Sequence, residues 1–147
     1  MERVFVDTGA WDAIEDSADP HHTAALSYKA ELVQRRIHLC TTNFVLDETY
    51  TLLLLNLGYA RTVNFKRTVE QLLAGGILTV VHITEEIERE AWTIFERFNR
   101  DKQWSFTDCT SRVVIERLGI TQIFAFDHHF EQMGFIRLPS RKTEEKG

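Results

Sequence analysis

The chain has 147 residues, a formal net charge of −5 and 44% hydrophobic residues; this fits one globular domain able to bury roughly 70% of its unfolded surface without disulfides or a structural metal. The acidic balance argues against a protein that grips nucleic acid through a broad basic face, but not against an enzyme that gathers cations in a carboxylate cluster. The longest apolar run, Leu52–Leu55, falls far short of the roughly 20 residues of a membrane helix, no signal peptide is visible, and Cys40 and Cys109 lack metal-type spacing, so both read as reduced structural thiols of a cytoplasmic protein.

In chain order, Arg3–Val6 reads as a short buried strand that stops at Asp7-Thr8-Gly9. An acid at that point is either a cap for the next helix or a residue of a site, because ligand crevices border the carboxyl ends of strands in open α/β sheets. Trp11–Asp16 reads as a short helix or turn. Asp19-Pro20 has the form of an N-cap followed by Pro at the first helical position, which predicts a helix from about His21 to Arg36 with Ala25, Leu26, Leu32 and Val33 inward. His21 and His22 are adjacent and cannot share one helical face.

Ile37–Thr42 is a second strand. Thr42 or Asn43 then caps a helix from Phe44 to about Leu57, which stops at Gly58. Its residues are apolar nearly all round, which predicts deep burial. Asp47 and Glu48 interrupt that pattern, and a carboxylate in so apolar a helix requires either a favourable helix dipole or a partner. Ala60–Ala74 is an amphipathic helix closed by Gly75-Gly76, and Ile77–Ile83 is the clearest strand, β-branched and bounded by turn signals. Thr84-Glu85-Glu86-Ile87 opens a helix to about Phe98, and Asn99–Gln103 is a polar loop that contains Asp101.

Trp104-Ser105-Phe106-Thr107-Asp108 begins the helix that runs to Leu118, with Gly119 as its C-cap. Ser105 and Asp108 stand three apart, an acidic variant of the capping box. Ile123–Phe126 repeats the first design, a short apolar run that ends in an acid, Asp127. His128–Met133 reads as a short helix, Phe135–Leu138 as a last strand, and 141–147 as a charged tail after a single domain over 1–140. The runs Gln34-Arg35-Arg36 and Arg137…Arg141-Lys142 read as solvated surface.

Strands that alternate with helices imply an α/β fold with a mainly parallel sheet and helices on both faces. If the strands are neighbours, Asp7, Glu48, Asp108 and Asp127 can converge at one end of that sheet. Four clustered carboxylates repel, and their natural partner is a hard divalent cation with oxygen ligands, Mg²⁺ or Mn²⁺. No Cys or His cluster offers a competing zinc site.

The order of strand–Asp7, helical Glu48, Ser105-x-x-Asp108 and strand–Asp127-x-x-Phe130 with Gly134-Phe135 resembles the PIN domain, most of all the VapC-type toxins of bacterial and archaeal toxin–antitoxin pairs. The resemblance spans Val4 to Leu138. It implies a three-layer α/β/α sandwich and a Mg²⁺- or Mn²⁺-dependent endoribonuclease that leaves a 3′-hydroxyl and a 5′-phosphate. It also implies a homodimer and a small antitoxin that blocks the site. Asp7, Glu48, Asp108 and Asp127 match the family's acidic quartet, with Asp7 and Asp108 as central and Glu48 and Asp127 as flanking metal ligands. Ser105 matches the hydroxyl residue beside the site, and Asp101 is either an outer acid or a loop residue. A PIN nuclease of RNA processing and a non-catalytic interaction module are the alternatives. A receiver domain with clustered acids would call for a strand-end Lys, which Ile77–Ile83 does not provide.

Overall fold

A computed structural model describes residues 2–140; the charged tail at 141–147, with Arg141 and Lys142, lies outside the described residues. Five strands, β1 (Arg3–Val6), β2 (His38–Thr42), β3 (Leu78–Val81), β4 (Gln122–Phe124) and β5 (Ile136–Leu138), form one sheet in the order β3-β2-β1-β4-β5. Every pairing is parallel. Parallel strands are covered on both faces and so read as continuous apolar runs. β1 does this fully: Val4, Phe5 and Val6 are all buried.

The helices are α1 (Thr8–Glu15), α2 (His22–Gln34), α3 (Asn43–Leu57), α4 (Tyr59–Ala74), α5 (Glu85–Phe98), α6 (Phe106–Leu118) and α7 (His129–Gln132). α1, α2 and α4 lie on one side of the sheet and the packed pair α5–α6 on the other, giving the expected three layers. From β1 the chain adds β2 and β3 on one side and later β4 and β5 on the other. The order therefore reverses between β1 and β4. In open α/β sheets such a switch point opens a crevice at the carboxyl ends of the strands.

Local chemistry sets the boundaries. The Thr42 hydroxyl accepts the Val45 N–H at 3.1 Å to start α3, and Thr84 does the same for Ile87 at 3.3 Å to start α5. Gly119, at φ +67°, ends α6 in the left-handed conformation that favours glycine.

Several expectations are corrected. α1 begins at Thr8, so Asp7 occupies its N-cap position. α2 begins at His22 with His21 at the N-cap; Asp19 instead accepts the His21 N–H at 2.7 Å, and Pro20 precedes the cap. Leu26 and Val33 face solvent, because α2 turns Ala25, Tyr28 and Leu32 to the core. α3 is not buried all round: Val45, Leu46, Thr49 and Leu53 are, while Leu54 and Leu55 are 50% and 78% exposed. It lies at the rim of the sandwich, against α1, α4 and α6. β3 is an edge strand, and His82 is exposed beyond its end. β4 ends at Phe124, although Ala125 still donates to Leu138 O at 3.0 Å. Arg137 is no surface residue: its buried guanidinium binds Glu131 Oε1 at 2.8 Å and the Ala125 carbonyl at 3.2 Å.

Candidate active site

Asp7 follows the last residue of β1 and is buried. It stands at the N-cap of α1, yet its side chain makes no capping bond there. Its carboxyl group is thus left to other work. The pKa of Asp7 lies well above the ordinary carboxylate range. Burial is the main cause, followed by the negative charge of Asp108, with smaller contributions from Glu48 and Asp127, while the Thr8 N–H opposes the shift. The three acids expected to join Asp7 are those whose charges bear on it.

Asp108 is held by the start of α6. Ser105 Oγ accepts the Asp108 N–H at 2.9 Å, and Asp108 Oδ2 accepts the Ser105 N–H at 3.1 Å. This is the capping box expected from the sequence, with Asp in place of Glu. The box fixes a buried carboxylate at a helix N-terminus, where the dipole favours negative charge. The residue before it is clamped as well. Asn99 bonds both backbone groups of Trp104 at 2.8 Å, and the Trp104 indole donates to Gln132 Oε1 at 2.8 Å. The last bond ties the start of α6 to α7, and so the Asp108 segment to the Asp127 segment.

Asp127 is partly exposed in the turn between β4 and α7, where His129 grips both of its oxygens. The His129 N–H donates to Oδ1 at 3.0 Å, and His129 Nδ1 lies 3.2 Å from Oδ2. The same Nδ1 lies 2.8 Å from Asp108 Oδ2. His129 was missed in the sequence because two adjacent histidines in a short helix carry no periodicity. A signal was present: His129 precedes Phe130, a wholly buried ring that fixes which way this turn faces.

Glu48 is exposed in the second turn of α3. A helix-dipole explanation for this acid therefore fails, since that effect fades within one turn. Asp47 is also exposed. Asp101 is a loop residue, exposed and 3.4 Å from Lys102 Nζ. His22 Nδ1 meets the Ala13 carbonyl at 2.7 Å, and His21 stacks on Phe126.

The donor set fits a hard divalent cation. The charges that raise the Asp7 pKa are all carboxylates, so a cation among them would relieve the repulsion. Oxygen ligands suit Mg²⁺ and Mn²⁺. One expectation is corrected: a histidine cluster does exist, since Asp127, His128 and His129 bring ligand atoms within 4.8 Å of one another, and its imidazoles suit a transition ion better than Mg²⁺.

The chain matches the PIN domain family over residues 4–136. It is 31% identical over 135 residues to the 23S rRNA-specific endonuclease VapC20 of Mycobacterium tuberculosis, covering 92% of this chain and 97% of that protein. A VapC ribonuclease of Archaeoglobus fulgidus is 29% identical over 127 residues, 86% of this chain and 78% of the relative. The crystal structure of M. tuberculosis VapC20, described as a sarcin–ricin loop cleaving toxin, superposes with a TM-score of 0.77 over 90% of this chain and 96% of that one, at 31% identity. FitAB bound to a DNA fragment shares the fold, with a TM-score of 0.65 at 13% identity over 92% and 93% of the two chains. The chain belongs to the PIN domain family and, within it, to the VapC-type ribonucleases.

Proposed function

We propose that this chain is a divalent-metal-dependent endoribonuclease, the toxin of a toxin–antitoxin pair, working in the cytoplasm with Asp7, Glu48, Asp108 and Asp127 as its acidic site. The observation that carries this reading is the convergence on Asp7. A buried carboxylate at the switch point lies in the field of three others drawn from α3, α6 and the β4–α7 turn. Asp7 and Asp108 are the central ligands, being buried and rigidly placed; Glu48 and Asp127, more exposed, flank them. Mg²⁺ or Mn²⁺ bound there supplies Lewis-acid activation of water and stabilisation of charge on the phosphate. The Ser105 hydroxyl orients Asp108 through the capping box. The α6 N-terminus that carries Asp108 also favours an anionic phosphate nearby.

The test is cleavage of cellular RNA by purified protein with Mg²⁺, with Mn²⁺ and with chelator, beside Asp108→Asn. Ribosomal 23S RNA is the first substrate to examine, because a relative is named for acting on it. Metal-dependent cleavage that disappears in the variant supports the site. Equal cleavage by folded Asp108→Asn overturns it.

Two partners complete the proposal. A small antitoxin that covers the acids is supported by the likeness to the VapC-type ribonucleases; the apolar hollow of about 480 Å³ on the α1–α2–α4 face is lined by none of the four acids and does not bear on that partner. A homodimer is supported by the exposed Leu54 and Leu55 on α3.

A further inference from the structure

We propose that His129 is a positioning residue, whose Nδ1–H holds Asp108 and Asp127 at the spacing that a divalent cation requires. The inference rests on the acidic cluster being the metal site. His129 Nδ1 is 2.8 Å from Asp108 Oδ2 and 3.2 Å from Asp127 Oδ2, and its backbone N–H binds Asp127 Oδ1 at 3.0 Å. Carboxylates only accept hydrogen bonds, so a ring nitrogen placed between two of them carries the proton. The tautomer is thereby set with the N–H on Nδ1.

The bridge joins two segments far apart in sequence. Asp108 belongs to α6 and is fixed at Oδ2 by Ser105 as well. Both of its bonds fall on Oδ2, which leaves Oδ1 available as a ligand. Asp127 belongs to a turn and is partly exposed; the backbone N–H of residue 129 holds Oδ1 whatever the side chain, and the ring is what reaches Oδ2. The ring itself is well anchored. Its side chain is 18% exposed, the next residue, Phe130, is wholly buried, and Gln132 of the same helix accepts the Trp104 indole N–H. His128 provides an internal contrast: its side chain is 62% exposed and its Nδ1 stands 3.6 Å from Asp127. Of two adjacent histidines, the fold turns one into the site.

Donors that orient metal-binding carboxylates typically matter about 10–100-fold in metal affinity. The experiment measures Mn²⁺ binding to the full-length protein by calorimetry and by the loss of the free-ion paramagnetic resonance signal. It compares His129→Leu, His129→Asn and His129→Gln. The Asn amide nitrogen sits where Nδ1 sits, whereas the Gln amide nitrogen sits where Nε2 does. His129→Leu and His129→Gln are expected to weaken Mn²⁺ binding about 10–100-fold, and His129→Asn to stay within a few-fold of the unmodified protein, with little change in melting temperature. Should Leu fail to fold, the Asn–Gln pair decides alone. Undiminished Mn²⁺ binding in Leu or Gln overturns the inference. So does a loss in Asn equal to that in Gln, because the position of the donor nitrogen would then not matter. An unmodified protein that binds no Mn²⁺ would instead overturn the metal-site reading itself.

Discussion

Asp7 and Phe124 are joined across the switch point of the sheet: the Asp7 N–H donates to the Phe124 carbonyl at 3.0 Å. This bond continues the parallel ladder of β1 and β4 one residue beyond Val6. It fixes the backbone of the most buried acid of the site against the strand whose following turn carries Asp127. Thr41 adds a second restraint from the other neighbour, donating its hydroxyl to the Val6 carbonyl at 2.9 Å. The end of β1 is thus tied on both sides, and its carboxylate has little freedom to escape the charges around it.

Asp7→Asn is therefore expected to separate stability from activity. Removing a carboxyl group whose ionisation is opposed by burial first and then by three acids should raise the melting temperature of the metal-free protein at neutral pH by several degrees. RNA cleavage should fall by about 100-fold or more, as when a central electrostatic group is removed from an active site. Thermal melts in chelator and a cleavage assay on the same preparation measure both. A variant less stable than the parent would show that Asp7 is a structural cap.

Stability in chelator should decline as pH rises. The Asp12 pKa is raised from the ordinary 3.8 to about 6, by burial first and then by Asp19 and Asp16. Between those values the folded chain holds a proton that the unfolded chain has lost, so stability falls with increasing pH and levels off above about 6. The raised pKa of Asp7 extends the decline upward. Saturating Mg²⁺ should flatten the Asp7 part, because the cation favours the ionised carboxyl, and leave the Asp12 part. Denaturation midpoints across this range, with Mg²⁺ and with chelator, are the measurement; stability that rises with pH in chelator would contradict it.

Arg137→Met should destabilise the protein by about 2–3 kcal/mol, the scale of lost hydrogen bonds to a charged donor. The guanidinium joins β5 to Glu131 on α7 and to Ala125 after β4, so the loss should be concentrated there. Amide exchange is expected to quicken in the segment from Ala125 to Gln132 more than in α2. Uniform acceleration would mean a general loss of stability rather than release of the Asp127 turn.

Leu54→Asp combined with Leu55→Asp should convert a dimer into a monomer, since placing charges in an interface centre costs about 2 kcal/mol or more. Both side chains are exposed, so the fold should be retained. Light scattering and a far-ultraviolet spectrum test both statements. A dimer that survives the pair of charges places the interface elsewhere.

Much of this protein was legible in its sequence. Helix starts announce themselves through hydroxyl caps, and Thr42, Thr84 and Ser105 all bond as their positions imply. The alternation of strands and helices set the parallel sheet, and the acid at the end of β1 stood out because a buried run stopped on it. These signals are local, a matter of bonds within one turn or of a period along the chain. Strand order is not local. Only the packed sheet decided that β1 and β4 are neighbours, which brings the Asp127 turn to Asp7. Which apolar residues stay exposed was likewise settled by packing: Leu54 and Leu55 read the same as Leu53 in the sequence, but a helix at the rim has fewer neighbours to cover it. His129 and Arg137 belong to the same class. Each owes its place to partners from other elements, and a polar side chain acquires its role only when the tertiary structure supplies the groups it must satisfy.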